Sequence, residues 1–261
     1  MAKSKSVIDI HINDKVHRFK GPADWNSMSR KQLLLWCGLG RQHLSIDSVL
    51  TMSGYLFYNI PKSIFSLFKA GEDLAIADKM KWLMENKLTN NLIGKIRIGW
   101  RVYYGPANRL SNLTIGEYRR ADLFHQMYIK TGKRDYLLAL AATLFRQKGG
   151  KSVDDVRCEL TENGVNSRAR FFKWALHPTV LKAIQLFYEG CRADIVRRFP
   201  IVFEKPEGEA KQTESISDLE DTILAYSGGK LGNFDETSRT NLYVFLNLLK
   251  QKIEEYKRNK K

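Results

Sequence analysis

Cysteine, long apolar runs and acidic side chains are all scarce in this chain. Cysteine occurs three times in 261 residues. Cys37, Cys158 and Cys191 lie far apart and form no close pair of the zinc-knuckle or redox kind, so reduced, mostly buried thiols and no disulfide are expected. The stretch Tyr136 to Phe145, YLLALAATLF, falls well short of the roughly 18 to 20 apolar residues a bilayer span needs, so no transmembrane helix is predicted. The opening MAKSKSVIDI has lysines but neither an apolar stretch of signal-peptide length nor a small-residue cleavage site, which points to a cytoplasm. Against 43 Lys and Arg stand only 28 Asp and Glu, a formal net charge of +15. That imbalance favours a polyanion or an acidic protein as partner.

Reactive constellations are equally thin. Asn112 to Tyr128, NLTIGEYRRADLFHQMY, sets Asp122 at the helical spacing before His125 that can present a carboxylate and an imidazole to one metal ion. A bundle di-metal site repeats that spacing on a second helix and adds carboxylates from two more. Here His11 and His17 fall in a predicted hairpin, His43 in a loop and His177 just before Pro178, so the second copy is missing. Asp122 and His125 are therefore read as sharing a helix surface and hydrogen-bonding locally or to solvent, with Ala121, Phe124 and Tyr128 toward the core. FRQKGGKS, Phe145 to Ser152, echoes the end of a phosphate-binding loop, but it has Phe145 where that loop needs glycine and it follows a helix rather than a strand. There is no Gly-x-Ser-x-Gly elbow and no cysteine-nucleophile signature. The chain reads as a non-enzyme with no catalytic residue, no cofactor and no metal.

What it does contain is helical patterning. Val7 to Ile12 and Val16 to Phe19 alternate apolar and polar residues around Asn13-Asp14, predicting a hairpin. Ser29 and Gln32 form a capping box ahead of LLLWC, with Gly38 and Gly40 ending that helix. Helical pieces are predicted over 46–58, 62–68 and 72–85, the last with Leu74, Ala77, Met80 and Met84 on one stripe. KIRIGWRVYYGP, 95–106, reads as extended chain. Thr114 and Glu117 make a second capping box, Gly132 closes the helix they open, and 135–146 is apolar enough for a bundle centre. Helices over 166–176 and 178–199 follow, with Pro200 halting the second. Leu137, Leu138, Leu140, Leu144, Trp174 and Phe187 are the predicted core.

Residues 204–215, EKPEGEAKQTES, lack any large apolar side chain and read as a linker. The chain is thereby divided into a hairpin plus helical body (1–203), the linker, and a C-terminal helical arm (216–261). The arm is predicted to hold a short helix over 218–226, a SGGKLGN turn and a long helix from Glu236. The expected fold class is mainly α, a multi-helix bundle with a small N-terminal β-hairpin and a linker-joined C-terminal helical arm.

Two sets of side chains are candidates for binding. On the arm, Leu242, Phe245, Leu249 and Ile253 recur at helical spacing, and either the body or a client must cover them. Arg119, Arg120, Lys133, Arg134, Arg168, Arg170 and Lys173 are candidates for a polyanion. NSRARFFKWALH sets three of these cations beside Phe171, Phe172 and Trp174, so that charge and stacking could together hold a nucleic acid. Phe171, Trp174 and Ala175 also follow core spacing, which is the competing explanation for those aromatics.

Read in order, Pro22 with WNSMSRKQLLLW, then YYGPANRLSNLTIGEYRRADLFHQMYIKTG, YLLALAATLFR and FYEGCRADIVRRFPIVF resemble small helical proteins of tailed bacteriophages or prophages of Bacteroidetes-type hosts. Many of these look like tail assembly chaperones. The resemblance spans most of the chain, and its motifs are structural punctuation: Trp25 before a cap, Gly105-Pro106, and Thr114 with Glu117. It implies a morphogenesis factor of the host cytoplasm that holds the aggregation-prone tape-measure protein until the tail tube forms around it. The alternative partner is nucleic acid, bound by a basic structural or head-tail connector protein.

Overall fold

The structure, a computed structural model, describes residues 5–12, 15–40, 44–68, 71–149, 155–203 and 233–259. The expected linker, the helix over 218–226 and most of the SGGKLGN turn lie outside the described residues, as do Asn13 and Asp14. The elements in chain order are β1 (Lys5–Ile12), β2 (Lys15–Pro22), α1 (Arg30–Leu39), α2 (Ile46–Phe57), α3 (Lys62–Phe65), α4 (Glu72–Lys79), β3 (Lys95–Ile98) and β4 (Arg101–Tyr104). They continue as α5 (Ile115–Thr131), α6 (Arg134–Leu144), α7 (Glu162–Ala175), α8 (Pro178–Arg198), α9 (Pro200–Phe203), α10 (Phe234–Arg239) and α11 (Leu242–Asn259). The protein is mainly helical with an N-terminal antiparallel hairpin, as the patterning predicts. Among the described residues no helix is long and apolar enough to cross a membrane.

Two compact units emerge. The first comprises Met1–Ile93 and Pro178–Gly190, the second Gly94–His177 and Cys191–Lys261.

In the first unit β1 and β2 pair with Ile8 opposite Phe19 and Ile10 opposite His17, and the alternation buries Ile8 and Ile10. Both halves of the first capping box form: the Gln32 backbone N–H donates to Ser29 Oγ at 3.2 Å and the Ser29 N–H to Gln32 Oε1 at 2.8 Å. The Gln32 amide also donates to the Phe57 carbonyl at 3.0 Å, tying α1 to the end of α2. Trp25 is buried, and its indole N–H donates to the carbonyls of Glu85 at 2.7 Å and Trp82 at 3.1 Å. Asn26 Oδ1 accepts from the backbone of Thr89 and Asn90 at 2.9 and 2.8 Å. A Trp-Asn pair thus pins a distant loop that has no ladder of its own to satisfy it. The helix expected over 72–85 is α4 followed by a 3₁₀ turn, Lys81–Met84, and only half of its stripe is inward: Ala77 and Met80 are buried, Leu74 and Met84 exposed. Along α8, a β-carbon on Gly190 would lie 2.3 Å from the Leu88 carbonyl oxygen, so the close approach requires glycine.

In the second unit the expected extended chain is a two-stranded hairpin, β3 against β4, turning at Gly99 (φ +56°). The end of β4 is bridged to Arg146, with Tyr104 and Arg146 exchanging backbone hydrogen bonds at 2.7 and 3.0 Å. Thr114 caps α5 and Gly132 closes it at φ +66°. The second capping box is only half made: Glu117 N–H donates to Thr114 Oγ1 at 3.2 Å, but the Glu117 carboxylate turns to Arg146 and Arg157 instead. α6 packs against α5 and α7, and Leu137, Leu138, Leu140 and Leu144 are buried as predicted, as is Phe187 in the first unit. Trp174 corrects that core assignment: it is 88 % exposed. Pro200 ends α8 and opens the first turn of α9, a position where its missing N–H costs nothing. The single helix expected from Glu236 is broken at Thr240 and Asn241, where Asn241 Oδ1 accepts from the Tyr243 N–H at 3.0 Å and starts α11 afresh.

Candidate binding surfaces

The apolar stripe of α11 is closed by its own unit. Leu242, Phe245 and Leu249 are buried and Ile253 is half-buried, with α11 packed on α5 and α9. The backbone locks this docking: Leu242 N–H donates to the Leu113 carbonyl and Ile115 N–H to the Thr240 carbonyl, both at 2.9 Å. Asn241 Nδ2 donates to Ser111 O at 2.8 Å, and the Tyr243 hydroxyl to Arg109 O at 2.7 Å. Of the two covers the stripe could take, the body supplies it for Leu242, Phe245 and Leu249.

The polyanion candidates divide. Arg168 is turned inward: its Nε donates to the Ala142 carbonyl at 2.9 Å, and burial pulls its pKa down. Arg119 is half-buried with its guanidinium 6.0 Å from the Phe234 ring, and Arg120 Nη2 lies 3.9 Å from Glu162. Lys133, Arg134, Arg170 and Lys173 are exposed, Lys173 with its ammonium 3.3 Å from Asp135.

Two arginines that sequence reasoning did not single out sit deepest. Arg146 is 1 % exposed and Arg157 3 %. Arg146 Nη2 lies 2.6 Å from Glu117 Oε1 and 3.6 Å from Asp155 Oδ2, while Arg157 Nη2 lies 2.6 Å from Asp155 and 3.3 Å from Glu117. Arg157 Nη1 also donates to the Leu144 carbonyl at 3.0 Å. The cause lies in α6, an apolar helix that ends inside the core, where its last carbonyls would otherwise face no donor. Arg157 and Arg168 supply donors to Leu144 and Ala142, and Glu117 and Asp155 balance the charge this brings in. Burial pushes the Asp155 carboxyl up, but the hydrogen bonds and charge of Arg157 outweigh it and hold it below its ordinary range. Burial lowers the Arg146 pKa against the opposing pull of Glu117. Both carboxylates are engaged by guanidinium groups, an arrangement that braces rather than transfers protons.

The metal-like spacing on α5 is also spent on structure. Asp122 Oδ1 accepts from Arg192 Nε and Oδ2 from Gln126 Nε2, each at 2.7 Å. His125 is buried rather than lying on a shared helix surface. Among the described residues no group of three His, Cys, Asp or Glu side chains could hold a metal ion.

Large apolar side chains are exposed among the described residues of both units. On the first, Leu44, Ile46, Met52, Leu67, Leu74 and Met84 are exposed, and the half-buried rings of Tyr55, Phe65 and Phe68 meet at tilted angles, 4.9 and 5.1 Å apart. On the second, Trp100 at the β3–β4 turn is 91 % exposed. Ile96 and Tyr103 form the buried face of that hairpin, Tyr103 meeting Phe172 edge-on at 4.9 Å, and the Arg101 guanidinium lies 4.9 Å over the Phe171 ring. Lys95 and Arg97 are exposed on its other face. A legible signal was present: between Glu85 and Glu117 the chain has no acidic residue, while Lys87, Lys95, Arg97, Arg101 and Arg109 fall inside that interval. Comparison with protein-family models, curated proteins and solved structures finds no match for this chain.

Proposed function

We propose that this chain is a non-enzymatic assembly factor that holds a helical protein client, its specific form being a phage tail assembly chaperone acting on a tape-measure protein in the host cytoplasm. The observation that carries the reading is the concentration of exposed aliphatic side chains between Leu44 and Met84. Apolar side chains exposed in this way are the kind that lay against the apolar face of a client helix. The family resemblance supplies the client's identity. A second reading, a basic nucleic-acid-binding or head-tail connector protein, draws on the exposed Lys133, Arg134, Arg170 and Lys173.

Coexpression with a fragment of the tape-measure protein from the same operon tests the first reading. The wild-type chain is expected to keep the fragment soluble and co-elute with it. A combined Ile46→Gln, Leu74→Gln, Met84→Gln variant should melt as the wild type does and lose the fragment. Undiminished co-elution of that variant would overturn the reading.

A further inference from the structure

The β3–β4 hairpin joins three features that together define a ligand class. Trp100 is almost wholly exposed at the turn between the strands. The turn is not loose: Ile96 and Tyr103 are buried, Tyr104 is bonded to Arg146, and Arg101 stacks on Phe171 of α7. The charge is of one sign, since the hairpin carries Lys95, Arg97 and Arg101 and no carboxylate. Neither Arg97 nor Arg101 has an ion-pair partner among the described residues.

An exposed indole costs solvation and is seldom left as filler, and a guanidinium beside it with no ion-pair partner among the described residues, as at Arg97, selects an anionic ligand. An extended ligand that offers flat rings for the indole and a charged backbone for the guanidinium is a single strand of nucleic acid. In a duplex the ring faces are already stacked, so the indole would find no partner. We infer that the hairpin Lys95–Tyr104 is a docking site for single-stranded nucleic acid, with a base stacked on Trp100 and a backbone phosphate on Arg97. This rests on the second reading of the function and adds to it a site and a ligand form that the helix cations alone do not specify. Arg170, Lys173 and the exposed Trp174 lie on α7, the helix against which the hairpin packs, and extend the same charge and aromatic character.

Titration with oligo(dT), followed by tryptophan fluorescence and by anisotropy of a labelled strand, is the test. The wild-type chain is expected to bind the single strand more tightly than a duplex of equal length, with quenching. Trp100→Ala should weaken binding about tenfold or more and remove the quenching, and Trp100→Phe should recover part of the affinity. Arg97→Ala should flatten the dependence of log affinity on log salt by about 0.7, one phosphate contact. Because Trp100 and Arg97 are exposed, unchanged melting of the variants serves as the folding control. If Trp100→Ala binds as the wild type while combined alanines at Lys133, Arg134, Arg170 and Lys173 abolish binding, the hairpin site is overturned and the second reading stands. If the wild-type chain does not bind oligo(dT) at low salt, both fall.

Discussion

Glu117 serves two structures at once. Its position three residues after Thr114 gives the first turn of α5 an acidic side chain, which the helix dipole favours, yet its carboxylate leaves the cap to meet Arg146 and Arg157. Removing that charge takes from the buried Arg146 its 2.6 Å partner and leaves Asp155, 3.6 Å away, to serve both guanidinium groups. Glu117→Gln is therefore expected to destabilise the second unit by about 3 to 5 kcal/mol in urea unfolding, and a loss below about 1 kcal/mol would show that the cluster is not a brace. Asp155 gives the pH dependence. Its folded pKa is held below the ordinary aspartate value of about 3.9, so its contribution is full above that value and is lost as pH falls through the lower folded one. Acid unfolding should accordingly be steeper in the wild type than in Asp155→Asn, and coincident acid limbs would contradict this. The thiols differ in the same physical way. Burial pushes Cys37 up to about 12 and raises Cys191 as well, while Cys158 is half-exposed. Alkylation of the native protein at mild alkaline pH, read by peptide mass, should modify Cys158 well before the other two; equal rates would refute the assignment.

Among the elements, α11 shows how far local pattern reaches. Its spacing announces one apolar face, and that face is indeed covered, but the spacing is silent on whose surface covers it. The hydrogen bonds from Leu242 to Leu113 and from Ile115 to Thr240 decide for the second unit. Phe245→Ala should cost about 3 to 5 kcal/mol, as for a fully buried ring. A variant that melts within a degree of the wild type would return the stripe to the role of a client surface. The break before α11 was illegible for a related reason. Asn241 stops one helix and starts the next because its side chain bonds both the Tyr243 N–H and the Ser111 carbonyl, and Ser111 is distant in sequence. By contrast the Ser29–Gln32 box and the Gly132 terminus needed only neighbours along the chain, and both formed where they were expected.

For the whole molecule, the sequence by itself determined the mainly helical class, the opening hairpin, most helix limits and the excess of positive charge, because periodicity, caps and composition depend on residues near one another or on simple totals. The tertiary structure decided where those charges went. Arg146, Arg157 and Arg168 are spent inside the second unit, on carboxylates and on the carbonyls of a buried helix end, whereas Arg97, Arg170 and Lys173 remain at its surface. It also exposed Trp174, which core spacing had placed inside, and Trp100, which an extended segment had left without a direction. Spacing along a chain establishes which side chains share a face. Whether that face meets water or another helix is set by elements distant in sequence, whose packing must satisfy buried carbonyls, charges and apolar area together.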